Sequence, residues 1–263
     1  LKRFIRWAVI FVILIAGLTL GLLQQQRLSR YADATPDAIA AATSDENVEV
    51  TPEGFMTMRP RHTPERLGVI FYPGAYTDIR GYTATLRPIA AAGYRVVVVP
   101  MPFDLAILGI GRAHDVISAN PDMKHWVIMG HSVGGAAASV FAHDNPNALD
   151  GVVIWDSFPP SISSLAAYAK PVWHIHRAKP DGSPPDSFLK QRAYFPSSSI
   201  WVPIPGGIHM YFGSFANGGY QEDWPPSISA KSQHEFVIAA TLRALAAMAP
   251  PADTPQSSTP TKN

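Results

Sequence analysis

The chain has 263 residues, 47% of them hydrophobic and 16% charged, with a formal net charge of +1. That length and apolar content suit one full-sized globular domain with extensions. The near-neutral balance excludes a nucleic-acid binder, which needs a basic surplus to displace counterions from phosphates, and zero cysteines exclude disulfides, thiolate metal sites and cysteine nucleophiles.

Lys2, Arg3 and Arg6 precede an uncharged apolar run from Trp7 to Leu23. As a helix rising about 1.5 Å per residue, the run covers roughly 25 Å, at the short end for a bilayer core. A cleaved signal peptide is the alternative, but it usually has a shorter apolar region with small residues just after it. Here Gln24-Gln25-Gln26-Arg27 follows, and the small-x-small site Ala32-Asp33-Ala34 lies farther downstream. Residues 1–23 are therefore expected to be an uncleaved membrane anchor. The basic flank predicts a single-pass cell-membrane protein with its domain outside the cytoplasm; a secreted, cleaved form is the alternative. Residues 24–47 read as a linker with a short helix around Pro36 to Ala42, residues 48–249 as the domain, and residues 250–263, rich in Pro, Ser and Thr, as a disordered tail.

Within the domain, strand-like runs alternate with helical patterns, the signature of a mostly parallel sheet covered on both faces. Weak strands at Val48–Val50 and Phe55–Met58 are expected to begin it as an antiparallel edge. Strand Leu67–Tyr72 ends at Pro73-Gly74, and a helical pattern from Tyr82 to Ala92 stops at Gly93. Arg95–Val99 is a β-branched run of the buried central type. A helix around Gly111–Ala119 leads to strand Trp126–Met129, and a helix from Gly135 to Ala142 follows. Strands at Gly151–Trp155, Val172–His176 and Ser199–Val202 complete the sheet. The last element, Ser229 to Met248, is an amphipathic helix with Ser232 and Glu235 spaced as a capping box.

The most informative stretch is Gly130-His131-Ser132-Val133-Gly134, set between a predicted strand and a predicted helix. A glycine-flanked serine at a strand-to-helix turn is a nucleophile elbow, in which neighbouring Cβ atoms have no room. It predicts an α/β-hydrolase fold and makes Ser132 the nucleophile, and the short connection between the elbow helix and the acid leaves little space for a large lid. In this fold the partners follow in the order acid, then histidine. His209, in the glycine-rich loop Pro205–Met210, is placed as the general base. The acid has three candidates: Asp181, in the loop after Val172–His176, is the first choice, Asp156, at the end of Gly151–Trp155, is the alternative, and Asp186 comes third. For the oxyanion, the Val133 N–H at the following helix terminus is one expected donor, and the Gly74–Ala75 segment, with the Ala75 N–H foremost, supplies the other. Phe103, Leu105, Met210 and Tyr211 stand next to these loops as candidates for an apolar acyl pocket. His174 and His176 share a strand face but lack a third ligand at supporting spacing, so no metal is expected.

Phe71-Tyr72-Pro73-Gly74, the stretch Met101–Ala106, the elbow, and Gly206-Gly207-Ile208-His209-Met210-Tyr211-Phe212-Gly213 together resemble a bacterial α/β-hydrolase family, the alpha/beta hydrolase fold-5 or dienelactone-hydrolase-like group. The likeness covers about residues 67–248 in the same order. It implies Ser132 as nucleophile and His209 as base and carries no substrate with it. The segment holding the family's usual acid is stretched here over His176–Gly182, which keeps Asp156 open as the acid. The expected activity is that of a serine hydrolase cleaving a small ester, lactone or related acyl compound through an acyl-enzyme, with no cofactor. The alternatives are an acyltransferase or peptidase using the same triad, and a catalytically silent envelope binding module.

Overall fold

The β-branched and apolar runs form the middle of an eight-stranded sheet because side chains buried on both faces leave no place for polar alternation. The computed structural model describes residues 2–250; the expected tail from residue 251 onward lies outside them. The strands are β1 Val48–Thr51, β2 Met56–Pro60, β3 Leu67–Tyr72, β4 Tyr94–Val98, β5 Trp126–His131, β6 Gly151–Trp155, β7 Val172–Ala178 and β8 Ile200–Pro205. Their spatial order is β1-β2-β4-β3-β5-β6-β7-β8. β1 and β2 form the antiparallel edge expected from the sequence, and β3 to β8 are parallel. Pro203 and Pro205 fit β8 because it is an edge strand, where a missing N–H leaves no ladder bond unmade.

The helices are α1 Lys2–Arg30, α2 Pro36–Ala41, α3 Thr83–Ala91, α4 Arg112–Ala119, α5 Val133–Asp144, α6 Asp186–Gln191 and α7 Ala230–Met248. Alternate residues of β3 feed two cores. Leu67, Val69 and Phe71 pack with α3 and α7 on one face, and Ile70 and Tyr72 with α4 and α5 on the other. α7 is capped by Ser229, whose side chain accepts from the Ser232 N–H, so the cap lies one turn before the predicted Ser232–Glu235 box. α6 has no counterpart among the predicted elements.

The order in which strands are added reverses at β3 and β5, which lie side by side and parallel while β4 lies on the other side of β3. The carboxyl ends of strands at such a switch point form the crevice where open α/β sheets bind ligands. All five non-glycine residues with positive φ among the described residues follow β3 to β6: Tyr76, Phe103, Asp104, Ser132 and Asp156. Strain of this kind persists only where surrounding structure over-determines it.

The stretch expected to be a linker departs from that description. Its first residues extend α1 to Arg30, and residues 31–43 pack against the domain. Ala32 N–H donates to Tyr76 O at 2.8 Å and Asp78 N–H to Ala32 O at 2.9 Å, while Thr35 N–H donates to Ser214 O at 3.0 Å. Small alanines at 32 and 34 permit this close backbone pairing. The side chains of α1 from Arg3 to Leu22 are exposed, and this helix is long and apolar enough to cross a membrane or to act as a signal sequence.

Candidate active site

The elbow is built by close packing. Ser132 sits at φ 54°, ψ −127° between β5 and α5. A Cβ on Gly134 would lie 2.1 Å from Tyr72 O, and one on Gly130 would lie 2.3 Å from Gly134 O. Only hydrogens fit there, so the serine is pushed out at the sheet edge. Val133 opens α5, and the first N–H groups of a helix have no intrahelical acceptor.

The base loop is held from three sides. Gly206, at φ 73°, turns the chain after β8. Buried Gln233 of α7 accepts from Ile208 N–H at 2.9 Å and donates to Ile208 O at 2.7 Å. Glu222 accepts from the N–H groups of His209 and Met210, each at 2.8 Å. Tyr220 stacks on the imidazole with ring centroids 4.0 Å apart. His209 is buried, and its Nδ1 lies 2.5 Å from Asp156 Oδ2.

The carboxylate that meets His209 is therefore that of Asp156, the alternative, and not that of Asp181, the first choice. Asp181 lies in an exposed turn and accepts from Ser183 N–H at 2.9 Å and Ser183 Oγ at 2.6 Å. The reason is strand length. β7 runs to Ala178, paired with Pro205 of β8, and carries the following turn beyond the crevice. Asp156 directly follows β6, and its φ of 47° turns it into the site. Its Oδ1 accepts from Arg177 N–H at 2.8 Å, and the Arg177 guanidinium pairs with Oδ2. Burial opposes its charge, yet the His209 hydrogen bond and the Arg177 charge hold it well below the usual carboxylate range. Arg177 also reaches Asp223 at 2.7 Å.

Behind the serine, Gly74 N–H donates to Tyr82 Oη at 2.9 Å, and the same hydroxyl lies 2.9 Å from His131 Nδ1. Gly74's amide is thus engaged away from the oxyanion position. Its contribution is the missing Cβ, which would stand 3.1 Å from His131 Nδ1. Burial and then the neighbouring His209 lower His131 far below an ordinary imidazole, so it is neutral at pH 7.

Ser132 borders two cavities. One, of about 220 Å³, is lined by Gly74, Ala75, Ser132, Val133, His209 and Met210 among others. The other, of about 400 Å³, holds Asp156, Ser157, Phe158, Arg177 and Asp223 beside Ser132 and His209. Of the residues expected to wall the acyl pocket, Met210 lines the first cavity, while Phe103, Leu105 and Tyr211 stand outside both linings. Tyr76, Thr77 and Tyr220 take that place. Tyr82, Arg177, Tyr220, Glu222 and Asp223 carried no short-range motif, and their roles arise from contacts distant in sequence.

His131, Asp156 and His209 each bring a potential ligand atom within 4.8 Å of the others. The guanidinium on Asp156 would repel a divalent cation from that oxygen. The arrangement suits proton transfer better: an anchored carboxylate, an oriented imidazole, and a serine beside a helix N-terminus.

The family model described as alpha/beta hydrolase family matches residues 68–235. No curated protein matches the chain. Among solved structures, the chain is similar to a ferulic acid esterase from Streptomyces cinnamoneus at 20% identity, with 76% of this chain and 73% of that one covered and a TM-score of 0.52. A thermophilic esterase from Thermogutta terrifontis matches at 14% identity over 80% and 98% of the two chains, with a TM-score of 0.54. A membrane phospholipase A described as a bacterial virulence factor matches at 13% identity over 92% and 99%, with a TM-score of 0.51. At these identities the likeness is one of fold.

Proposed function

The chain belongs to the alpha/beta hydrolase family, and on that premise we propose that it is a serine hydrolase of small acyl esters or lactones, with Ser132 as nucleophile, His209 as base and Asp156 as acid. The observation that carries the reading is the 2.5 Å contact between Asp156 Oδ2 and His209 Nδ1, on an imidazole that shares both cavities with Ser132. With Nδ1 engaged, Nε2 is the nitrogen left to accept the serine proton.

In the first step Ser132 Oγ bonds to the substrate carbonyl carbon while its proton passes to His209. The C–O bond to the leaving group then breaks, and His209 returns the proton to the departing oxygen. Water repeats the sequence on the acyl-enzyme and frees the acid. Asp156 holds the imidazole tautomer and offsets its positive charge. The N–H groups of Val133 and Ala75 are the donors assigned to the oxyanion. Gly74 is assigned a spacing role.

The α1 helix is read as an uncleaved anchor with the domain on the extracytoplasmic side of a cell membrane. The pairing of residues 32–35 with the Tyr76–Asp78 and Ser214 backbones supports this, because cleavage after Ala34 would remove part of the active-site wall. Hydrolysis of a short-chain aryl ester by the full chain tests the reading. The wild type is expected to release a burst of phenol stoichiometric with enzyme when deacylation is the slower step, and Ser132→Ala to lose about 10⁶ in kcat. Undiminished turnover by Ser132→Ala would reject the proposal.

A further inference from the structure

The wall of the smaller cavity is completed by Arg30 and Ala32, residues that belong to the anchor and its exit. Arg30 is the last residue of α1. Arg30 lies seven positions beyond Leu23, the end of the apolar run, a helical rise of about 10 Å. The headgroup layer on each side of a bilayer is about 5–8 Å thick. An embedded α1 thus brings the mouth of the Ser132 cavity to the membrane surface.

A second group of residues stands at the same place. Arg27 Nε lies 2.5 Å from Asp104 Oδ2, and Asp104 O accepts from Tyr76 N–H at 2.9 Å, so the turns from residue 102 to 108 are tied both to α1 and to the cavity wall. These turns present Phe103, Ile107 and Leu108 to solvent, each about half exposed (47%, 49% and 51%). Leu28, on the last turns of α1, is 72% exposed. Large apolar side chains grouped beside a membrane-crossing helix fit the bilayer interface, where each recovers the free energy of burial.

We propose that the 102–108 turns and the final turns of α1 form a lip that rests on the bilayer, and that the Ser132 site takes as substrate an acyl ester lodged in that bilayer. This rests on the serine hydrolase reading and adds the source and class of its substrate. The lip shields the path from lipid to cavity, and Arg30 at the mouth faces the polar end of the amphiphile.

The test uses the full chain in phosphatidylcholine vesicles. Two esters are compared, a water-soluble short-chain aryl ester and a long-chain monoacylglycerol partitioned into the vesicles. The double variant Ile107→Asp/Leu108→Asp is expected to keep the soluble activity within about twofold and to lose about tenfold or more on the vesicle-borne ester. Because the chain lacks cysteine, Ile107→Cys can carry a single environment-sensitive dye. Lipids brominated on their acyl chains should quench it, and should spare the same dye at Lys124→Cys, exposed before the start of β5, a strand that puts about 20 Å between its first residue and the elbow. Equal rates of variant and wild type on the vesicle-borne ester, or an unquenched dye at position 107, would overturn the proposal. A wild type inert toward both esters would instead overturn the hydrolase reading and the substrate assignment with it, while quenching reports the lip independently of catalysis.

Discussion

Asp156→Asn is expected to lower kcat/KM for a soluble aryl ester by about 10⁴, whereas Asp181→Asn leaves it within about twofold. The amide is isosteric, so the loop geometry survives, but it presents its NH2 or its oxygen to Nδ1 without the charge that steadies a protonated imidazole. Asp181 only closes a solvent-exposed turn with Ser183. Steady-state kinetics of the two variants decides between them. Comparable losses in both, or a loss confined to Asp181→Asn, would mean that the acid has been misassigned.

Arg177→Met should have the next largest effect, and it should divide between stability and pH dependence. The guanidinium is nearly buried against Asp156, with Asp223 at its outer end. Removing one partner of a buried pair costs about 3 kcal/mol; here His209 and the Arg177 backbone N–H still serve the carboxylate. Asp156 is depressed in the folded protein, so its ionised form contributes stability above the ordinary carboxylate range near pH 4. That contribution is lost as pH falls through the native value. The variant, with Asp156 less depressed, should therefore lose less stability during acid titration and complete that loss at a higher pH than the wild type, as followed by urea unfolding. Arg177→Lys, which keeps a positive charge beside Asp156, should recover part of the lost stability and of kcat/KM. Equal losses in Arg177→Met and Arg177→Lys would show that the charge contributes nothing there.

The strands and the elbow were legible because their signals are local. Val96 to Val99 can hardly be anything but a buried strand, and Gly130, Ser132 and Gly134 encode a turn whose sterics involve only its immediate neighbours. The sequence left the acid open between Asp156 and Asp181 because both follow parallel strands. What separates them is how far β7 runs, and that depends on its pairing with β8 through Ala178 and Pro205. Alanine and proline carry little strand signal of their own. The segment after the anchor was harder still. Residues 31–35 look like polar linker, and their order comes from backbone hydrogen bonds to Tyr76 and Ser214, which no periodicity records. Tyr82, Arg177 and Glu222 likewise join the site through tertiary contacts spanning 49, 21 and 13 positions in the chain.

The whole account turns on a reactive serine hydroxyl at position 132, and a fluorophosphonate probe followed by peptide mass spectrometry reads that hydroxyl directly. One covalent adduct is expected on wild-type chain, located on Ser132, abolished in Ser132→Ala and formed far more slowly in His209→Ala. An adduct on another residue that persists in Ser132→Ala, or no adduct on a folded wild type, would contradict it.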